Sequence, residues 1–375
     1  MNKSLLVIAL AITTILSLIL CPDAVMAHTT EAASAGYKAP VPKVNKQIIV
    51  DRLNNLSSEI DLRYTEEVGR RVREYTVSYR VAGERILGRV GMYFPLFEQQ
   101  IQERNLPEEL KYVAVVESHL DITAKSKSGA VGLWQFIKST AEMQGLTVNK
   151  YLDERKDAEL STDAALDYLE SLYEQFGDWT LAIAAYNCGP GGVRKAMRRS
   201  GKSDFWSIRN YLPRETQKYL PRIIAAMYLM KYYHMHDLHP QRVDTDLTEV
   251  TMIKDGKGHN LDKLSQQLGL DKTILTRLNS KYITGSFPKN EGHLELSIPS
   301  SSYNRYLELH SPESYKQALV MQKEEELIAL RKKIVSAREH ITNLDIIQSI
   351  LYDSCLLYTS PSPRDRTRSR MPSSA

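Results

Sequence analysis

Apolar residues through the middle of the chain recur at the i, i+3, i+4, i+7 spacing of amphipathic helices. The pattern begins near Ile48, strengthens from Glu66 to Ile86 and continues through MYFPLFEQQIQERNLP at 92–107. It then predicts a largely buried helix over 105–120, opened by Pro107 with Glu108 and Glu109 in its first turn. The loop KSKSGAVGLWQF follows, and a helix is expected from Leu133 toward Gln144, stopped by Gly145. Ser161 reads as the N-cap of a helix over 162–176 that places Leu166, Leu169, Leu172, Tyr173 and Phe176 on one face. WTLAIAAYN reads as a short apolar helix broken at Cys188–Gly192, and PRETQKYLPRIIAAMYLMKYYH as a long one. The stretch 66–240 is therefore expected to be all-helical, preceded by a flexible lead-in and first helix over 28–65. After Pro240 the periodicity changes. Residues 245–300 read as a small β-α-α-β module, with strands near TEVTMI and HLELSIP and Asp271 capping its second helix, and 312–345 as a charged helix. The fold class predicted is mainly α.

The ends of the chain change what composition can mean. Residues 1–27 have the layout of an export signal: Lys3, an apolar run from Leu5 to Leu20, and small residues at Val25 and Ala27. The run is shorter than the roughly 20 residues of a spanning helix. Cleavage is expected after Ala27; Cys21 raises lipidation, against which Leu20 stands where a small residue is needed. Residues 355–375 lack any hydrophobic period and resemble translated sequencing-adapter read-through, not native protein. That tail carries Arg364, Arg366, Arg368 and Arg370 against Asp365, which is most of the formal net charge of +4. The remainder is nearly neutral, so the pI of about 8.7 does not point to nucleic acid. Of three cysteines only Cys188 lies between these ends, leaving no intrachain disulfide there.

One charged residue breaks an apolar stripe. Leu110, Val113, Ala114 and Glu117 share a helical face, and a buried carboxylate is costly unless it is paired or protonated. Spacing alone leaves Glu117 open between a core-edge ion pair and a proton-carrying acid. Downstream lie SKSGAVGLWQ with Gly132 and Gln135, AAYN-x-G with Tyr186, Asn187 and Gly189, and Tyr219 in ETQKYLPR. Glu117-Ser118 followed by these segments, in this order and at these spacings, resembles the family 1 lytic transglycosylases over about residues 66–235.

That resemblance implies a lysozyme-like helical catalytic domain over 66–240 acting on peptidoglycan, with Glu117 as its one acid and base. Most glycosidases use two carboxylates; the motifs supply one, and Asp121 is the nearest candidate for a second. The resemblance further implies that Ser118, Ser126 and Ser128 hydrogen-bond the glutamate or an N-acetyl group. It gives Gln135 and Asn187 the orienting of polar groups in the cleft, and puts Tyr186 and Tyr219 beside the reacting ring. The 245–300 module resembles a degenerate LysM domain, a wall-binding unit. No cofactor and no metal are expected, the His234, His236 and His239 group reading as a helix-end feature. The partner expected is the glycan strand, in a monomer exported to the periplasm or cell envelope, with membrane association open through the N-terminus. A hydrolytic muramidase of the goose-type lysozyme kind and an inert wall-binding protein are the alternatives.

Overall fold

The structure is a computed structural model that describes residues 44–254, 259–285 and 295–359, with side chains not described at 318 and 340–359. The export-signal segment, Cys21 and residues 360–375 of the tail lie outside the described residues. The chain is mainly helical and divides into two compact units: one formed by residues up to Leu146 with Ala158–Arg242, the other by Thr147–Asp157 with the chain from Val243.

In the first unit, α1 spans Lys46–Asn54 and α2 Glu66–Arg73, each capped by a side chain, Asn45 and Thr65, that accepts a backbone N–H. A π-turn at Glu74–Ser78 interrupts the helical run read from the sequence, and α3 spans Arg80–Glu103. The predicted 105–120 helix is shorter than its pattern. Pro107 sits in extended backbone, Glu108–Leu110 form a 3-10 turn, and α4 covers only Lys111–Ser118. His119 and Leu120, both at positive φ, then end it. A helix of eight residues is not stable by itself. Burial holds it, since Val113, Ala114 and Val115 are all 0% exposed.

The expected helix from Leu133 is also shifted. Residues 125–136 form a bridged loop, with Lys125 and Phe136 both paired to Val131, and α5 covers Lys138–Met143. Next, α6 spans Ala158–Phe176 and packs on α7, Trp179–Ser200. Ser161 therefore lies inside α6, buried, and is not its cap. A single turn, α8, covers Phe205–Ile208, and α9, Tyr219–Tyr232, packs against α2, α4 and α7. Ile223, Ile224, Ala225 and Ala226 of α9 are 0% exposed, which explains its nearly continuous apolar sequence. His236 closes this unit as a buried histidine, accepting a contact from Arg52 Nη1 at 2.9 Å and lying 2.9 Å from Tyr228 Oη.

The second unit has the β-α-α-β order. β1 (Val250–Lys254) pairs antiparallel with β2 (Glu295–Pro299) in the register Met252 to Ser297. Between them lie α10 (Leu261–Leu268) and α11 (Lys272–Leu278), capped by Asn260 and Asp271. Asn279 acts as a third strand would, its amide donating to Ser297 O and accepting from Ser297 N. The core of Leu261, Leu264, Leu275, Leu296 and Ile298 also contains Leu152, brought in by the 147–157 excursion. That excursion is fixed by backbone bonds from Asp153 N to Lys281 O and from Ile283 N to Tyr151 O, and by Lys281 Nζ on Asp157 at 2.7 Å. Finally α12 (Tyr303–His310) leads into α13 (Pro312–Thr359).

Candidate active site

Glu117 is in the last turn of α4, at the wall of a cavity of about 450 Å³ in the first unit. Ser126, Ser128, Gln135, Tyr186, Asn187, Cys188 and Gly189 line the same cavity. The loop that carries Gln135 is pinned from below by Trp134, which is 0% exposed, donates Nε1–H to Thr162 Oγ1 at 2.9 Å and packs on Phe97. Gln135 itself holds φ +53°, a conformation uncommon for a side chain of its size. Its amide nitrogen donates to Ala124 O and Gly132 O, so those backbone carbonyls fix the side chain in place. Ser126 and Ser128 hydroxyls lie 2.9 Å apart, and Ser126 Oγ also accepts from Ala130 N.

The opposite wall comes from a kink in α7. Gly189 holds φ 76°, ψ 153°, a region open in practice only to glycine, and no atom lies within 4 Å of where a Cβ would stand. Pro190 cannot donate to the carbonyl of Tyr186 four residues back, so the break is written into the sequence. The kink leaves Asn187 Oδ1 accepting from Thr216 Oγ1 at 2.8 Å, and Tyr186 Oη donating to Trp134 O at 2.8 Å.

Tyr219, first residue of α9, donates its hydroxyl to Glu117 Oε1 at 2.5 Å. Burial raises the Glu117 carboxyl to about 7, against the opposing effect of the Tyr219 bond and the nearby Arg222 charge. Burial and the Glu117 charge both push the Tyr186 and Tyr219 phenols upward, so each keeps its proton over the whole neutral range. The site therefore holds one carboxyl that can be an acid or a base near neutrality, with a fixed donor on one of its oxygens.

Among the described residues lining the cavity, no other carboxylate appears. Asp121 is engaged elsewhere, accepting from Arg89 Nη2 at 3.0 Å and from Thr123. Ser118 is buried and donates to Ala114 O within its own helix, unlike Ser126 and Ser128. Among the lining residues that escaped the sequence reading are two aromatics. Tyr168 of α6 lies tilted against Tyr186, ring centroids 5.6 Å apart, and Phe136 lies tilted against the same Tyr186 ring at 6.0 Å. Tyr168 adjoins the Leu166, Leu169, Leu172 stripe, which was its one sequence signal. Cys188 is half-buried, its thiol pushed up by burial.

Residues 94–209 match the family model described as the Transglycosylase SLT domain. The match is to this segment, not to the chain as a whole. Glu117 and every predicted site residue except Tyr219 fall inside it. The chain is 43% identical over 137 residues to membrane-bound lytic murein transglycosylase D of Escherichia coli (strain K12), covering 35% of this chain and 30% of that protein. It is 38% identical over 128 residues to peptidoglycan transglycosylase gp16 of Escherichia phage T7, covering 32% of this chain and 10% of the relative. The chain thus spans under a third of the length of these curated relatives. Among solved structures, the 70 kDa soluble lytic transglycosylase of Escherichia coli is similar at 28% identity, with a TM-score of 0.33, over 39% of this chain and 25% of that one.

Proposed function

We propose that the chain is a peptidoglycan lytic transglycosylase that cleaves the β-1,4 bond from N-acetylmuramic acid to N-acetylglucosamine. The observation that carries this reading is a single buried carboxyl, held near 7 and hydrogen-bonded by Tyr219, at the wall of a cavity with no second carboxylate among its described lining residues. Protonated Glu117 gives its proton to the glycosidic oxygen as the C1–O bond breaks and positive charge develops on the muramyl ring. The resulting carboxylate takes the proton of the C6 hydroxyl on that same ring, and O6 bonds to C1. The glutamate ends protonated, no water is consumed, and the product is a 1,6-anhydromuramyl end. One residue suffices because an attack within one ring has a high effective molarity. Gln135, fixed by two backbone carbonyls, Ser126, Ser128 and Asn187 offer polar groups for the sugar substituents. Tyr186 and Tyr219 flank the reacting ring, and Ser118 supports the turn that carries Glu117.

The relatives' names support a cell-envelope location, and the 1–27 segment supports export. Among the described residues no helix is long and apolar enough to cross a membrane. We assign wall attachment to the β-α-α-β module on its LysM-like order. Digesting purified sacculi and weighing the released muropeptides tests the reaction. Muramyl ends one water lighter than the reducing sugar are expected, and none from Glu117→Gln. Reducing muramic acid ends indicate a hydrolytic muramidase instead. Binding to sacculi without release, in the unaltered chain, indicates an inert wall binder.

A further inference from the structure

A second cavity in the first unit, of about 410 Å³, lies at the end of α4 opposite Glu117. Its size is ordinary for a small-molecule site. The segment after α1 supplies Ser58 and Glu59, the 3-10 turn before α4 supplies Glu108 and Glu109, and Tyr112 and Lys231 complete its polar lining. Buried polar atoms in proteins are nearly always paired, yet two deeply buried side chains here each keep one that is not. Glu109, 6% exposed, accepts the Glu59 N–H on Oε1 at 3.0 Å, while its Oε2 has no hydrogen-bond partner among the described residues. Tyr112, 3% exposed, has none on its hydroxyl among those residues. Neither atom is sealed off, so both open onto the space that these residues line.

Charge selects the occupant. Glu59, Glu108 and Glu109 line the cavity against Lys231. Lys111 stands beside them but is engaged, its ammonium 2.6 Å from Glu98 and 3.0 Å from Glu108. Counted together, the carboxylates of Glu59, Glu98, Glu108 and Glu109 exceed the ammonium groups of Lys111 and Lys231 by two. The positive end of α4 offsets only about half a charge. Among the described residues no cation pairs with Glu109, and a buried carboxylate without one is costly. Burial, with the charges of Glu108, Glu109 and Glu98, pushes the Tyr112 phenol up, so it stays neutral and can offer its oxygen as an acceptor. A metal ion does not fit, because among the described residues no three carboxylates, histidines or cysteines are grouped so as to hold one. An organic cation does, and Leu106, Pro107 and Met227 give it apolar wall on which methylene groups can lie.

We propose that this cavity is a second binding site, apart from the catalytic one, for a primary ammonium group on an aliphatic chain. The ammonium donates to Glu109 Oε2 and Tyr112 Oη, and its methylene groups lie along Pro107 and Met227. The reading is independent of the reaction assigned to Glu117. Isothermal titration calorimetry on the purified chain, with Nα-acetyl-lysine methylamide as the probe, tests it. Saturable binding with a Kd on the order of millimolar is expected, weakening as salt is added. Acetylating the side-chain nitrogen of the probe keeps the chain and removes the charge, and should abolish binding. Glu109→Gln keeps an acceptor for the Glu59 N–H but carries no charge, and should weaken binding about tenfold or more. Tyr112→Phe deletes only a hydroxyl without a partner in the protein, so stability in urea should hold while binding falls roughly fivefold. Cadaverine, titrated beside the peptide probe, separates the two sources of this chemistry. Tighter binding of the probe assigns the site to a lysine-type side chain, and tighter binding of cadaverine to a free polyamine. No saturable binding of either amine overturns the proposal. So does equal binding of the acetylated probe, and so does binding indifferent to both substitutions.

Discussion

Glu117 should destabilise the domain it serves, and the size of that effect follows from its surroundings. Its carboxyl is raised from 4.5 to about 7 by burial. Between these values the folded state keeps a proton that the unfolded chain has already released, so stability falls as pH rises through this window and stays lower above it. A shift of this size corresponds to about 3 kcal/mol. Glu117→Gln keeps the side chain's size and an acceptor for the Tyr219 hydroxyl but cannot ionise. The substituted chain should therefore gain about 3 kcal/mol relative to the unaltered one between pH 4 and pH 8.5. Urea unfolding followed by tryptophan fluorescence isolates the right unit, because Trp134, Trp179 and Trp206 all belong to the first one. Stability curves for the two proteins that run parallel across the whole pH range would refute the claim that burial sets the proton affinity of Glu117.

Tyr219→Phe removes the hydrogen bond that holds the Glu117 carboxyl down. The alkaline limb of the kcat/KM profile should move up by about one pH unit, with the rate reduced on the order of tenfold or more; an unmoved limb contradicts the role. Gly189→Ala meets no atom, so its cost is backbone strain alone, about 1 to 3 kcal/mol, read as a lower urea midpoint of the same fluorescence. Leu152→Ala, at a position 8% exposed in the second unit's core, should cost that unit about 2 to 4 kcal/mol. Faster amide exchange across β1 and β2 measures it.

The helical first unit was legible because its stripes are long and glycines follow α6 and α7, and the β-α-α-β order because its strands and helices differ in period and its two helices carry caps. Glu117 was legible as an anomaly in an apolar stripe, and the motifs downstream gave it company. What the sequence hid were effects that depend on distant partners. Gln135 adopts positive φ because Ala124 and Gly132 carbonyls hold its amide, and no local signal demands that. The helix predicted to run through Glu117 to Leu120 stops sooner because His119 and Leu120 turn into the left-handed region, though neither is glycine or asparagine. Ser161 looked like a cap, yet the hydrophobic face that sets where α6 begins is decided by packing on α7. Leu152 reads as one apolar residue in a polar loop; its partners are more than a hundred residues away.

The path of the chain through 147–157 bears on how such a protein can be taken apart. The backbone passes between the two units at 146–147, 157–158 and 242–243. A protease that nicks only the last of these leaves the amino-terminal fragment still holding Leu152 inside the other fragment's core, so the pieces should copurify until denatured. The same threading means that the second unit is not a bead that recombination can add or delete at one joint.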